Sequence, residues 1–78
     1  MTLKQTLRRI GVPTDAGVTV KSVQHPLWAG VIADATPDGK IIVVGFGENP
    51  VWLDPRSPDV VLVRHDAMEW DMERGEWL

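Results

Sequence analysis

A chain of 78 residues supports one hydrophobic core and excludes a second domain, and burial of roughly 60% of its extended surface leaves a narrow stability margin. The absence of Cys excludes disulfides, thiolate metal ligands and Cys nucleophiles, and makes the cytoplasm the expected setting. The net charge of −3 argues against a chain built chiefly to neutralise phosphate.

The charges are nevertheless sorted along the chain. Lys4, Arg8, Arg9 and Lys21 face only Asp15 before Pro26, whereas acids outnumber Arg64 and Arg74 from Asp59 onward. A local basic patch near the start is therefore expected beside an acidic tail. No apolar stretch follows the first bases and no apolar run reaches about 18 residues, so neither a signal peptide nor a membrane-spanning segment is expected.

In chain order, Thr2 and Gln5 form a capping-box pattern. Leu3, Leu7 and Ile10 then recur at helical spacing, Arg8 and Arg9 suit the negative end of the helix dipole, and Gly11 with Pro13 stops the run. The pattern predicts a helix over Leu3 to Ile10. From Gly17 on, short β-rich runs separated by Gly and Pro predict strands at Val18 to Val23, Leu27 to Asp34, Lys40 to Phe46, Val51 to Leu53 and Val60 to Arg64. Thr36, Pro37, Asp38 and Gly39 fit a type I turn closing a hairpin. The Pro-rich segment Asp54 to Asp59 reads as an exposed loop.

The tail after Arg64 admits two readings. Asp66 and Glu69 can cap a helix ended by Gly75, or Trp70 and Trp77 can face each other across a hairpin whose loop is Met72 to Gly75. The hairpin is preferred, since a helix would leave Met68 and Trp70 on different sides of one short element. The expected organisation is a single domain over 1–78: helix in 1–11, strands in 17–64 and an acidic, Trp-bearing tail in 65–78.

Ile41 to Val44 and Val60 to Val63 are unbroken apolar runs, whereas a strand with one wet face alternates. Three apolar side chains of the helix are little cover for both. A second cover is expected, either the tail or another subunit.

Val18, Val20 and the stretch Trp28-Ala-Gly-Val-Ile32, followed by the Pro-Asp-Gly turn and the strand to Phe46, resemble the opening of SH3-like small barrels. Tudor-type and KOW-type modules and the type II dihydrofolate reductases share this outline, which covers about Gly17 to Val63 here. The resemblance implies a mainly β fold, an SH3-like five-stranded antiparallel barrel with a short N-terminal helix and a C-terminal hairpin. A split-sheet α+β sandwich is the competing architecture. The Val-Gln-Ile-Tyr stretch of the type II reductases has no counterpart, so their activity is not implied. A Tudor-type aromatic cage needs clustered aromatics, and this chain has no Tyr and a single Phe.

Catalytic patterns are thin. Gly45-Phe-Gly47 follows a strand, but Pro50 stands where a dinucleotide fingerprint needs its third Gly, and a β run follows instead of a helix. The segment reads as a turn of unusual φ. Ser57, His65 and Asp66 can be written as a triad, yet composition nearly forces some such trio. The tail acids lack calcium-loop spacing and read as a solvated or docking face. No catalytic residue, metal site or cofactor is expected.

Four tryptophans are the unusual feature, because one indole supplies a large rigid contact area. Strand parity sets Trp28 opposite Leu27, Ala29 and Val31, and Trp52 opposite Val51 and Leu53. If those aliphatic sets point inward, both indoles point outward. The expected function is a non-catalytic protein-interaction module, an accessory or inhibitor protein, binding a protein partner or a second copy through Trp28, Trp52, Trp70 and Trp77. Two alternatives stay open. One is nucleic-acid binding by Lys4, Arg8, Arg9, Lys21 and an exposed Trp; the other is an oligomeric enzyme with its site between subunits.

Overall fold

The computed structural model describes residues 1–78. Helix α1 spans Leu3–Arg9, and its capping box forms as the sequence requires. The Thr2 hydroxyl accepts from the Gln5 amide at 3.2 Å, and the Gln5 side-chain oxygen accepts from the Thr2 amide at 2.9 Å. The chain leaves the helix through Gly11 at φ 83°. Leu7, Ile10 and Val12 are buried in the core, while Leu3 stays at the surface. The helix thus contributes through its C-terminal half and the turn after it, and not through the full Leu3, Leu7, Ile10 stripe.

Five strands follow: β1 Thr19–Ser22, β2 His25–Ala35, β3 Ile41–Val44, β4 Val51–Leu53 and β5 Val60–Val63. They form one antiparallel sheet in the order β4-β3-β2-β1-β5, curled into a half-barrel whose edge strands, β4 and β5, do not pair. The long β2 is shared. Its first part pairs with β1 and its second part with β3, with a register shift between Ile32 and Asp34, and a bulge at such a point bends a strand. The strand beginning at Leu27 in the sequence reading starts earlier, at His25. The one extending to Phe46 ends at Val44, because Gly45 at φ 112° leaves the extended region.

Two glycines permit the curl. A Cβ on Gly30 would lie 2.5 Å from Val43 Cγ1 and 2.6 Å from the Val44 carbonyl oxygen, and one on Gly45 would lie 2.8 Å from the Ala29 carbonyl oxygen. The backbones of β2 and of the chain leaving β3 touch here, as strand glycines allow.

The core lies on the inner face, where Val20, Ile41, Val43 and Leu62 are fully enclosed beside Phe46 and the helix-end residues. The turn over Thr36 to Gly39 forms as read, with the Gly39 amide donating to the Thr36 carbonyl and Gly39 at φ 103°.

The tail is a hairpin. Strands β6 (Trp70–Asp71) and β7 (Glu76–Trp77) pair Trp70 with Trp77 and Asp71 with Glu76, Gly75 turns at φ 66°, and no helix forms after Arg64. A bridge between Val63 and Glu69 sets the hairpin beside β5. No helix is long and apolar enough to cross a membrane.

Candidate protein-interaction surface

Alternation decides what each strand shows outside. On β3, Ile41 and Val43 are fully buried, so Ile42 and Val44 occupy the outer face, half-buried and exposed respectively. Trp52 pairs with Ile42 from β4 and Val31 pairs with Val44 from β2. Trp52 is 63% exposed and Val31 53%. These four side chains form one apolar patch across three strands.

The patch continues along β2, and here the sequence reading needs correction. Leu27, Ala29 and Val31 do not point inward. Gly30 pairs with the fully buried Val20, so Gly30 and Ile32 take the inner face and the aliphatic row between them goes outside. Leu27 is 95% exposed. It sits in a stretch of β2 without partners, because consecutive β1 residues Lys21 and Ser22 pair with Ala29 and His25, leaving Pro26, Leu27 and Trp28 to bulge. Gly30 was the available signal, since a strand glycine often marks the face where another backbone approaches.

Trp28 reaches the surface for a different reason from the one parity suggested. It lies in the bulged stretch beyond the enclosed core, tilted over the buried Phe46 at 6.1 Å and stacked on His25 at 4.6 Å. One face of the indole thus covers the end of the core while the residue stays 42% exposed. Trp52 is outward by the expected logic, since Val51 and Leu53 pack against the core.

Trp70 and Trp77 are placed differently again. Both are half-buried, edge to face at 5.1 Å. The Trp70 indole N–H donates to the Gly11 carbonyl at 2.9 Å, tying the hairpin to the end of α1. The Arg64 guanidinium stacks on Trp77 at 4.9 Å. Val61 and Val63 on the outer side of β5 are half-buried and border a shallow cleft with Pro26, Ala67 and Glu69. The tail thus continues the sheet beside the end of β5 and packs Trp70 and Met72 against the core, and the outer side of the β3 run is left open.

The remaining motifs resolve into local structure. Asp66 does not orient His65; its carboxylate accepts from Arg64 at 2.7 and 3.0 Å. That hydrogen bond, helped by the Met68 amide and the guanidinium charge and opposed by desolvation, holds the Asp66 carboxyl down to about 2. The same contact raises Arg64. The Ser57 hydroxyl accepts from the Asp59 amide within its own loop. Gly45 and Gly47 take φ 112° and 88° around the buried Phe46, which is the turn expected. Lys4, Arg8 and Arg9 are exposed on α1 without carboxylate partners, whereas Lys21 stands apart on β1 between Ala29 and Val61.

In comparisons with known proteins, no family model, no curated protein and no solved structure matches this chain.

Proposed function

We propose that this chain is a non-catalytic protein-interaction module, of the kind that serves as an accessory or inhibitor protein. Its contact surface is the outer face of β2, β3 and β4, with Trp52 as the anchor and Trp28 at the margin. One observation carries the reading: Trp52 stands largely in solvent beside Ile42, Val44 and Val31 on a contiguous sheet face. Single exposed apolar residues are ordinary, but a connected apolar patch is a feature of binding surfaces, and an indole is the side chain most enriched among interface anchors. Trp70 and Trp77 are engaged within the molecule and are left out of the proposed surface. On this reading the module works in the cytoplasm, a setting that needs no disulfides.

Photocrosslinking in native cells tests it. A photoreactive amino acid at position 44 or 52 is expected to give discrete protein adducts, and the same group at Glu73 on the hairpin loop is not. Absence of adducts at 44 and 52, or equal adducts at all three positions, overturns the reading.

One feature favours nucleic acid as a second reading: the unpaired Lys4, Arg8 and Arg9 on one short helix. Retardation of single-stranded DNA or RNA at about 50 mM salt, weakening steeply as salt rises, is its signature. No retardation at that salt removes it.

A further inference from the structure

We propose that the free edge of β4 is a docking site for an extended segment of a protein partner, which adds to the sheet as an antiparallel strand centred opposite Trp52. The site rests on the reading of the chain as a protein-interaction module and gives the form in which the partner presents itself.

The two edges of the sheet, β4 and β5, are not equivalent. The Val23 amide donates to the Asp59 carbonyl, and alternation along the β1–β5 register then turns the main-chain groups of Val60, Leu62 and Arg64 away from β1. The molecule takes up the first and last of these amides itself: Val60 donates to Ser57 and Arg64 to Met68, where the tail bridges Val63 to Glu69.

Strand β4 has no such cover. The Thr36 amide donates to the Lys40 carbonyl at 2.9 Å, so Thr36–Lys40 and Asp34–Ile42 are the hydrogen-bonded pairs between β2 and β3. The main-chain groups of Ile41 and Val43 therefore point to β4 and are met by Leu53 and Val51. Those of Trp52 point the other way, off the sheet. The Pro50 carbonyl and the Asp54 amide have the same parity and no main-chain partner within the chain. The Asp54 side chain, by contrast, is engaged with Lys40 and with the Arg56 amide.

The open edge thus offers, in order, the Pro50 C=O, the Trp52 N–H and C=O, and the Asp54 N–H. Another extended backbone supplies partners at this spacing. An antiparallel segment meets every one of these groups through its central residue and the residues two before and two after it. The register has no freedom, because Pro50 has no amide to offer beyond this stretch and the Asp54 carbonyl already accepts from the Ser57 amide at 3.0 Å.

Side chains define the rest of the segment. Val51 and Leu53 pack against the core yet stay half-buried, so the residues flanking the centre of the segment are apolar and complete their cover. The central residue lies beside the Trp52 indole, where a β-branched or aromatic side chain pairs well. The segment is a free one and not the β4 edge of a second copy. At 3 residues β4 runs at both ends into loops, 45–50 and 54–59, and a second β4 would bring the same loops against them.

The capped peptide Lys-Thr-Val-Thr-Val-Thr-Lys is the probe, titrated into the isotope-labelled full chain up to about 2 mM, a range suited to weak binding. The Trp52 and Asp54 amide resonances are expected to shift, and their hydrogen exchange to slow at least about fivefold at saturation. The same peptide with Pro for its central Thr leaves the Trp52 carbonyl unmet and is expected to bind at least about tenfold more weakly. A synthetic chain with an N-methyl group on the Trp52 nitrogen is expected to show a similar loss with an unchanged circular dichroism spectrum, since that amide takes no part in the ladder to β3. Trp52→Ala keeps the amide and is expected to bind more tightly than the N-methyl chain. Should the N-methyl chain not fold, the Pro peptide decides the matter on the native one. No shift at the highest peptide concentration overturns the proposal, as do shifts centred on Val31 and Val44, equal binding of the Pro peptide, or a chain that dimerises through β4 without peptide. The crosslinks at positions 44 and 52 separate the two failures. Protein adducts without strand addition leave the interaction surface standing, whereas no adducts remove both.

Discussion

Gly30→Ala is the substitution that tests the architecture most directly, because two physical arguments give it opposite signs. Gly30 lies within β2 and its φ is not positive, so by chain entropy alone Ala would stabilise the fold by about 0.4–1 kcal/mol. The structure forbids that gain. The new methyl would sit 2.5 Å from Val43 Cγ1 and 2.6 Å from the Val44 carbonyl oxygen. Val43 is fully buried and β-branched, so it has little rotamer freedom to yield, and the carbonyl belongs to the β3 backbone paired with Val31. The pair β2–β3 must separate at the point where the sheet curls. Overpacking of this kind costs about 1–3 kcal/mol, and with neither neighbour able to move the upper end is expected. For a domain of this size each kcal/mol shifts Tm by about 4–8 °C, so a fall of more than about 10 °C is expected in a thermal melt followed by circular dichroism. Adding Val43→Ala removes the side-chain contact but not the carbonyl contact, so the double variant is expected to fall short of additive loss without regaining the wild-type Tm. A Tm for Gly30→Ala equal to or above that of the parent would refute the close approach and the curl built on it.

Thr2→Ala removes the hydroxyl half of the capping box and is expected to lower stability by about 1 kcal/mol, read from urea denaturation; no change would mean that the first turn is frayed. Trp70→Phe keeps an aromatic ring but deletes the N–H that reaches Gly11, leaving that carbonyl without its donor; a loss of about 1 kcal/mol is expected, together with faster amide exchange in the Trp70–Trp77 hairpin. The Asp66 carboxyl titrates at about 2 against an ordinary value of 3.8. Its folded value is depressed, so its contribution is complete above about pH 4 and is lost as pH falls toward 2. Arg64, which joins Asp66 to the Trp77 ring, is expected to let Trp fluorescence report that loss, and Asp66→Asn is expected to abolish the change between pH 4 and pH 2 while leaving the spectrum at pH 7 near that of the parent.

Much of the fold was legible from local chemistry. The Thr2/Gln5 box, the Pro37-Asp38-Gly39 turn and the pairing of Trp70 with Trp77 are short-range patterns, in which neighbours in sequence are also the partners that satisfy the backbone. The candidate surface was legible only in part. Trp52 followed from parity because both its neighbours pack inward. Trp28 did not, because Pro26 to Trp28 bulge away from β1 and parity does not carry through a bulge. The outward turn of Leu27, Ala29 and Val31 ran against their hydrophobicity, since an aliphatic row is by default assigned to a core.

By itself, then, the amino-acid order determined the elements, their turns and the surplus of apolar strand surface over what one helix can cover. Only the tertiary structure decided which side of each strand that surplus occupied, and that the tail packs on the core beside β5 and leaves β3 open. The physical reason is that strand register is a long-range choice. Gly30 against Val20 and Val43 fixes the inner face of β2 through residues that are distant in sequence, and a slip of a single residue would have exchanged the inner and outer rows.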